Sequence, residues 1–195
     1  MRPRYAAITG ASRGIGAAIA EKFASEGWNL ALSCLRSSET LEALASRLHD
    51  TYKITCLTYT GDMGEEPSVR EFFCKIQENF GTLDVLVNNA GISQVGLFGD
   101  LTLSQWEHIL RTNVTSVFLC AKAALPFMLH HKAGSIINIS SVWGCAGASC
   151  EASYSASQGA VNALTQALAK DLAPSGIAVN AVAGGAIATH INPRC

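Results

Sequence analysis

The clearest chemical signal in this sequence is the stretch Ile8-Thr9-Gly10-Ala11-Ser12-Arg13-Gly14-Ile15-Gly16. It closes a short apolar run, Tyr5 to Ile8, and opens an alanine-rich segment ending near Glu26. An apolar strand feeding a glycine turn that feeds a helix is the geometry that holds a pyrophosphate. Glycines let the backbone approach phosphates, and the unpaired N–H groups of the helix start supply partial positive charge. The spacing here is G-x-x-x-G-x-G rather than the commoner G-x-G-x-x-G. The same residues also suit a tight strand-to-helix turn that holds no ligand.

A phosphate-holding turn needs a strand behind it and a helix ahead, and the chain alternates the two throughout. That alternation is the signature of βαβ units, so the expected fold is a single α/β domain with a doubly wound parallel sheet of six strands. After the turn, helical spacing covers 17–26 and stops at Gly27, a C-cap residue. A strand is expected over 30–35, then a helix over 39–50 with Ser37 or Ser38 as N-cap. A third strand covers 54–59. Residues 66–80 read as a helix, with Pro67 in its first turn and Gly81 beyond its end. The fourth strand, 83–87, runs into Asn88-Asn89-Ala90-Gly91. A long helical region follows over 102–131, which Pro126 is expected to end or kink. The remaining elements are a strand over 135–139, a helix over 152–173 and a strand over 177–181.

Composition narrows the function. A chain of 195 residues suits one domain with a sizeable core. Apolar residues make up 49% and charged residues 15%, as expected for a sheet covered on both faces. A formal net charge of −1 argues against nucleic acid and against an anionic membrane surface as partners. No apolar run reads as membrane-spanning and no signal-peptide pattern opens the chain, so a cytoplasmic location is expected. Cysteines at 34, 56, 74, 120, 145, 150 and 195 are odd in number and form no C-x-x-C pair. They sit mostly in apolar runs and read as free, buried thiols. The histidines at 49, 108, 130, 131 and 190 keep no ligand spacing with them, so no metal site is expected.

The glycine turn, Asn88-Asn89-Ala90-Gly91, Asn113, Ser141 and Tyr154, in that order, resemble the short-chain dehydrogenase/reductase family from residue 5 to about residue 189. Residues 9–16, the interval from Ser141 to Tyr154, and 164–180 are most similar to its 3-oxoacyl-[acyl-carrier-protein] reductase branch. The segment from Trp143 to Glu151 is similar to reductases that finish a lysine-linked modification of elongation factor P. The resemblance implies a Rossmann domain with a nicotinamide cofactor lying across the carboxyl ends of the strands. It places Gly10, Gly14, Ile15 and Gly16 along the pyrophosphate, Asp62 and Met63 beside the adenine, and Asn89, Ala90 and Gly91 beside the nicotinamide ribose. Gly185, Ile187 and Thr189 fall in the loop over the nicotinamide. The second strand ends without a carboxylate to hold a ribose 2′-hydroxyl, and Ser12, Arg13, Arg36 and Ser37 suit a 2′-phosphate, which implies NADP(H). The other reading of these arginines is two solvated surface side chains.

By the same resemblance Tyr154 exchanges a proton with the substrate oxygen, Ser141 polarises the carbonyl, and Asn113 holds a water in the proton relay. The implied activity is NADPH-dependent reduction of a ketone, 3-oxoacyl thioester-like, in a small-molecule or carrier-bound carbonyl substrate. Leu97, Phe98 and Trp143 fall on the substrate side, and pairing of the two long helices would give a homodimer.

The chain departs from the family pattern in three places. Where the family has lysine, four residues after the tyrosine, this chain has Gln158. Glutamine can hydrogen-bond a ribose but carries no charge. A nearby cation lowers the tyrosine's ordinary pKa of about 10 by roughly 1 to 3 units, so its loss is expected to slow turnover by about one to three orders of magnitude. Gly184 replaces a proline after the sixth strand, adding backbone freedom to the loop. The family continues into a substrate-covering segment and a seventh strand, so this domain is expected to be short at its C-terminus, leaving strand 177–181 as an exposed edge. A catalytically impaired nucleotide-binding protein, or a truncated remnant, is the alternative to an active reductase.

Overall fold

The computed structural model describes residues 2–185 and 187. Strand and helix alternate from the start: β1 (Tyr5–Ile8), α1 (Gly14–Ser25), β2 (Asn29–Cys34), α2 (Ser38–Tyr52), β3 (Cys56–Thr60), α3 (Glu66–Phe80) and β4 (Val85–Asn88). Then follow α4 (Leu103–Leu110), α5 (Ser116–His131), β5 (Gly134–Ser141), a single turn α6 (Trp143–Ala146), α7 (Ala152–Leu172) and β6 (Ile177–Gly184). The six strands pair in parallel in the order β3-β2-β1-β4-β5-β6. The order reverses between β1 and β4, and the crevice at that reversal is where such sheets bind ligands. The fold is therefore the doubly wound α/β sheet read from the alternation of elements.

Each face of the sheet carries its own core. On one face Phe72, Ile76, Cys120, Ala124 and Met128 of α3 and α5 pack on Ala7, Leu86 and Ile136. On the other, Ala20, Ala24, Leu41 and Leu48 of α1 and α2 pack on Ile8, Leu30, Leu32 and Val87. Strands buried on both sides read as unbroken apolar runs, which is why β1, β2 and β4 were legible without alternation.

Four expectations need correction. Of the two effects expected of Pro126, ending the helix is not seen, since α5 runs on to His131. Pro126 and Lys122 both face solvent, where water can satisfy the carbonyl that the missing N–H leaves free, while buried Ala124 and Met128 hold the turn to the sheet. The irregularity falls earlier, in a π-helical turn at Arg111–Thr115 between α4 and α5. With that turn counted as helix, Leu103–His131 is long and apolar enough to cross a membrane by length and composition, against the sequence reading. Its apolar residues Val117, Cys120 and Met128 are used in the core of the sheet domain.

The cysteines are not mostly buried. Cys34 and Cys120 are, whereas Cys74, Cys145 and Cys150 are exposed. Burial pushes the Cys120 thiol up to about 12 and the Cys56 thiol to about 11. Gly184 does not begin a free loop either. It is the last residue of β6, in register with Ser141, and its carbonyl accepts the Val142 N–H at 2.9 Å. Thr189, and any strand beyond it, lies outside the described residues.

Candidate active site

The glycine turn is built by close approach between two strand ends. Gly10 has φ +64°, and a Cβ there would lie 2.8 Å from the Ala90 Cα. A Cβ on Gly16 would strike the Gly10 carbonyl oxygen and lie 2.5 Å from Asn89 Nδ2. No side chain fits at either position. Two residues hold this geometry. The Thr9 hydroxyl accepts the backbone N–H groups of both Asn89 and Ala90 at 3.0 Å. In return, Asn89 Nδ2 donates to the carbonyls of Thr9 at 2.9 Å and Gly10 at 3.0 Å. The Ala11 N–H bonds the Ser33 carbonyl at 2.9 Å, so the turn is tied to β2 as well as β4. Beyond it α1 starts at Gly14, and the N-cap, Arg13, places no side-chain acceptor on the helix N–H groups. An uncapped helix start facing a cradle of backbone is the donor set a pyrophosphate requires.

A cleft of about 1030 Å³ runs along the strand ends, and every expected catalytic and cofactor-binding residue within the described set lines it, as does Trp143, whereas Leu97 and Phe98 are exposed and line a separate hollow. Ser12, Arg13, Ile15 and Arg36 stand at one end, with Gly10, Gly14 and Gly16 in the floor. Asp62 and Met63 form a side wall, followed by Asn89, Ala90 and Gly91. Asn113, Ser141, Tyr154 and Gln158 line the cleft toward the β5 side, as do Gly185 and Ile187 beyond the end of β6. Arg13 and Arg36 are exposed, and neither forms an ion pair among the described residues. Asp62 is committed locally, its Oδ1 accepting the Gly64 N–H at 2.8 Å. Met63, at 5% exposure, belongs to the core as much as to the wall.

At the far end Ser141 finishes β5, and Tyr154 stands in the first turn of α7. Burial, the largest influence, pushes the Tyr154 phenol above its ordinary pKa; the Ser141 side chain pulls it back by hydrogen bonding and the Glu151 carboxylate adds to the rise. Gln158 lies one turn further along α7, 5% exposed, and its Oε1 is buried with no hydrogen-bond partner among the described residues. Gly144 of α6 lets that turn lie against the Gln158 backbone, because a Cβ there would come within 2.6 Å of its carbonyl carbon. An orphaned acceptor costs about 1–3 kcal/mol unless something donates to it, and a sugar hydroxyl in this cleft would. The residues present therefore fit a nicotinamide dinucleotide, from its phosphates to its ribose.

Asn113 is 2% exposed and sits in the π-helical turn. Its Oδ1 accepts the Ile92 N–H at 2.9 Å, while Nδ2 donates to the Ile92 carbonyl at 2.9 Å and to Ser157 Oγ at 3.0 Å. Both amide hydrogens are spent within the protein, so the side chain is a brace between the loop after β4 and α7, with one Oδ1 lone pair left for a water.

Sequence reasoning missed the polar residues that align α7 with β5. Asn88 donates to Asn138 Oδ1 at 2.9 Å, Asn138 donates to Thr165 Oγ1 at 2.8 Å, and Ser140 donates to Asn162 Oδ1 at 2.7 Å. These bonds set where Tyr154 stands relative to Ser141. The available signal was Asn138 itself, an amide between Ile137 and Ile139 in a buried strand, where it must find partners. Thr9 and Glu151 were also passed over.

Comparison with known proteins agrees with this architecture. The family model for short chain dehydrogenases matches residues 4–194. The 3-oxoacyl-[acyl-carrier-protein] reductase FabG of Staphylococcus aureus is 39% identical over 188 residues, covering 96% of this chain and 76% of the relative. An uncharacterized oxidoreductase of Bacillus subtilis, YmfI, is 36% identical over 188 residues, with the same coverage of both. Among solved structures, an alcohol dehydrogenase from the archaeon Thermococcus sibiricus, complexed with 5-hydroxy-NADP, superposes with a TM-score of 0.91 at 29% identity, covering 97% of this chain and 79% of that one. With its sheet order, its glycine cradle and a family match over nearly the whole sequence, the chain belongs to the short-chain dehydrogenase/reductase family of oxidoreductases.

Proposed function

We propose that this protein is an NADP(H)-dependent ketone reductase acting on a 3-oxoacyl thioester or a similar carbonyl compound, with Tyr154 as proton donor. The observation that carries the reading is a single cleft with the glycine cradle and two exposed arginines at one end and Ser141 with Tyr154 at the other. The name and organism of its FabG relatives support the substrate class, and the NADP-type ligand of the archaeal alcohol dehydrogenase supports the cofactor.

When bound, the cofactor supplies hydride at the tyrosine end of the cleft. As the carbonyl is reduced, its oxygen would take the phenolic proton of Tyr154, which solvent would then restore. Ser141 donates a hydrogen bond to the same oxygen as negative charge builds on it. Arg13 and Arg36 offer charge to a 2′-phosphate, and the Gln158 amide offers a donor and its orphaned acceptor to the ribose. Burial keeps Tyr154 protonated at neutral pH, which suits a proton donor, but no cation at position 158 steadies the phenolate left behind.

Titration with NADPH followed by fluorescence, then ketone reduction by the native chain and by Gln158→Lys, tests the reading. Saturable NADPH binding is expected, with slow native turnover and a gain of about one to three orders of magnitude in the lysine form. The reverse reaction, alcohol oxidation, needs the phenolate. Its rate in the native chain should still be climbing with pH at about 10, and in Gln158→Lys it should level off roughly 1 to 3 units lower. Bound cofactor with no turnover by either form, over a panel of 3-oxoacyl thioesters and small ketones, would leave a nucleotide-binding protein that has lost its chemistry. The unpaired Gln158 Oε1 and the raised Tyr154 are the observations favouring that second reading.

A further inference from the structure

Ser141 stands where β5 gives way to α6, and its hydroxyl is held from the α6 side. The Trp143 N–H donates to Ser141 Oγ at 3.2 Å. A serine hydroxyl has one proton and two lone pairs, so an oxygen that accepts here keeps its proton for the cleft that it lines. The place of α6 therefore sets where that proton points.

A turn of four residues, Trp143–Ala146, does not hold itself in place. At its start the Val142 N–H is bound to β6, and along its length it rests on α7. A Cβ on Gly144 would come within 2.9 Å of Asn162 Nδ2 as well as meeting the Gln158 backbone, and a Cβ on Gly159 would lie 3.3 Å from the Gly144 carbonyl oxygen. A side-chain bond joins the two helices at this contact: Asn162 Nδ2 donates to Cys145 Sγ at 3.5 Å. The other arm of the same amide, Oδ1, accepts the Ser140 hydroxyl at 2.7 Å. Tyr154, Gln158 and Asn162 follow one another at intervals of four, so they share one face of α7. Neither Asn162 nor Cys145 lines the cleft.

We propose that Asn162 and Cys145 form a latch that positions Ser141. The amide holds α6, and α6, through the Trp143 N–H, aims the Ser141 hydroxyl at the substrate oxygen. Both are positioning residues. This rests on the reductase reading above and adds the device that aims its polarising group.

Cys145 is exposed, so its replacement leaves the core intact. In ketone reduction, Cys145→Val should lower kcat and kcat/KM together by about threefold, as loss of help given only in the transition state does; sulfur is a weak acceptor, which keeps the effect small. The NADPH dissociation constant should not change. Cys145→Ser, whose hydroxyl accepts from the same amide, should keep the native kcat. Asn162→Leu, which also frees Ser140, should cost about tenfold, and adding Cys145→Val to it should cost nothing more. In a Ser141→Ala chain, Cys145→Val should likewise have no further effect. A raised KM with kcat unchanged, a loss that Cys145→Ser does not rescue, or the same loss in the Ser141→Ala chain overturns the latch.

A second readout needs no turnover. With Trp28→Phe and Trp106→Phe in place, Trp143 is the remaining tryptophan of the sequence. Release of α6 by Cys145→Val should raise acrylamide quenching of its fluorescence, and Cys145→Ser should not. Unchanged quenching overturns the latch whatever the turnover, and leaves the reductase reading standing if ketone is reduced. Raised quenching with no reduction by any form, Gln158→Lys included, keeps the hold on α6 but overturns the reductase reading, and with it the role given to Ser141.

Discussion

The two ends of the cleft are held in different ways. At the glycine end Thr9 Oγ1 serves two N–H groups and the Asn89 amide serves two carbonyls, while Ser33 Oγ beside the turn is buried without a partner among the described residues. At the tyrosine end Gln158 Oε1 is buried without a partner, and Tyr154 is held away from its ionised form. The backbone of the first end is clasped by the protein itself, though its helix start is uncapped and its two arginines are without ion pairs among the described residues. The second has loose ends that a ligand would tie. Binding a phosphate asks only for backbone and space, whereas moving a proton asks for a charge balance, to which Gln158 brings no charge.

Tyr154→Phe should separate the ends most sharply. Loss of the phenolic proton is expected to cut ketone reduction by about a hundredfold to ten-thousandfold, with the NADPH dissociation constant from fluorescence titration nearly unchanged. If NADPH binding falls in parallel, the ends are not independent.

Thr9→Val attacks the other end. It keeps the side-chain shape but leaves the N–H groups of Asn89 and Ala90 without their acceptor, at a cost of about 1–3 kcal/mol in urea unfolding. NADPH binding should weaken with it, and unchanged stability would mean that the cradle is held by packing instead.

The smallest effect is expected from Arg36→Ala. Removing one exposed guanidinium from the 2′-phosphate should weaken NADPH binding by about tenfold at low salt and leave NADH binding as it was. Equal losses for both cofactors would mark Arg36 as a solvated surface residue.

How much of this was legible in the sequence followed from how local each feature is. β1, α1 and the Thr9-to-Gly16 turn are contiguous, so spacing alone located them. The span of α3 was read correctly from end to end, because Pro67 and Gly81 mark both of its limits. The π-helical turn was not legible. It depends on Asn113 reaching Ile92 and Ser157, the latter 44 residues away. That α5 runs on through Pro126 was not legible, because the effect of a proline depends on which side of the helix meets water, and exposure at a helix is set by the sheet behind it. The cysteines misled for a similar reason: Cys74 lies in an amphipathic helix on its outer side, although its neighbours Phe72 and Phe73 are buried. The order of Ser141, Tyr154 and position 158 was visible, while the Asn88–Asn138–Thr165 chain that aligns them was not, since it joins three elements that only the fold brings together.

The Thr9–Asn89 clasp also has a consequence for the order of events during synthesis. Its two halves are 80 residues apart, and β1, made before the other described strands, is a central strand that must wait for β4 as its second neighbour. At roughly 5–20 residues per second, translation keeps the glycine turn without its clasp for about 4 to 16 s. Through that interval the nascent chain presents an open turn and one bare edge of β1. Cofactor capture can begin only after Asn89 has arrived, so a nucleotide bound to the growing chain would mark the moment when β4 takes its place.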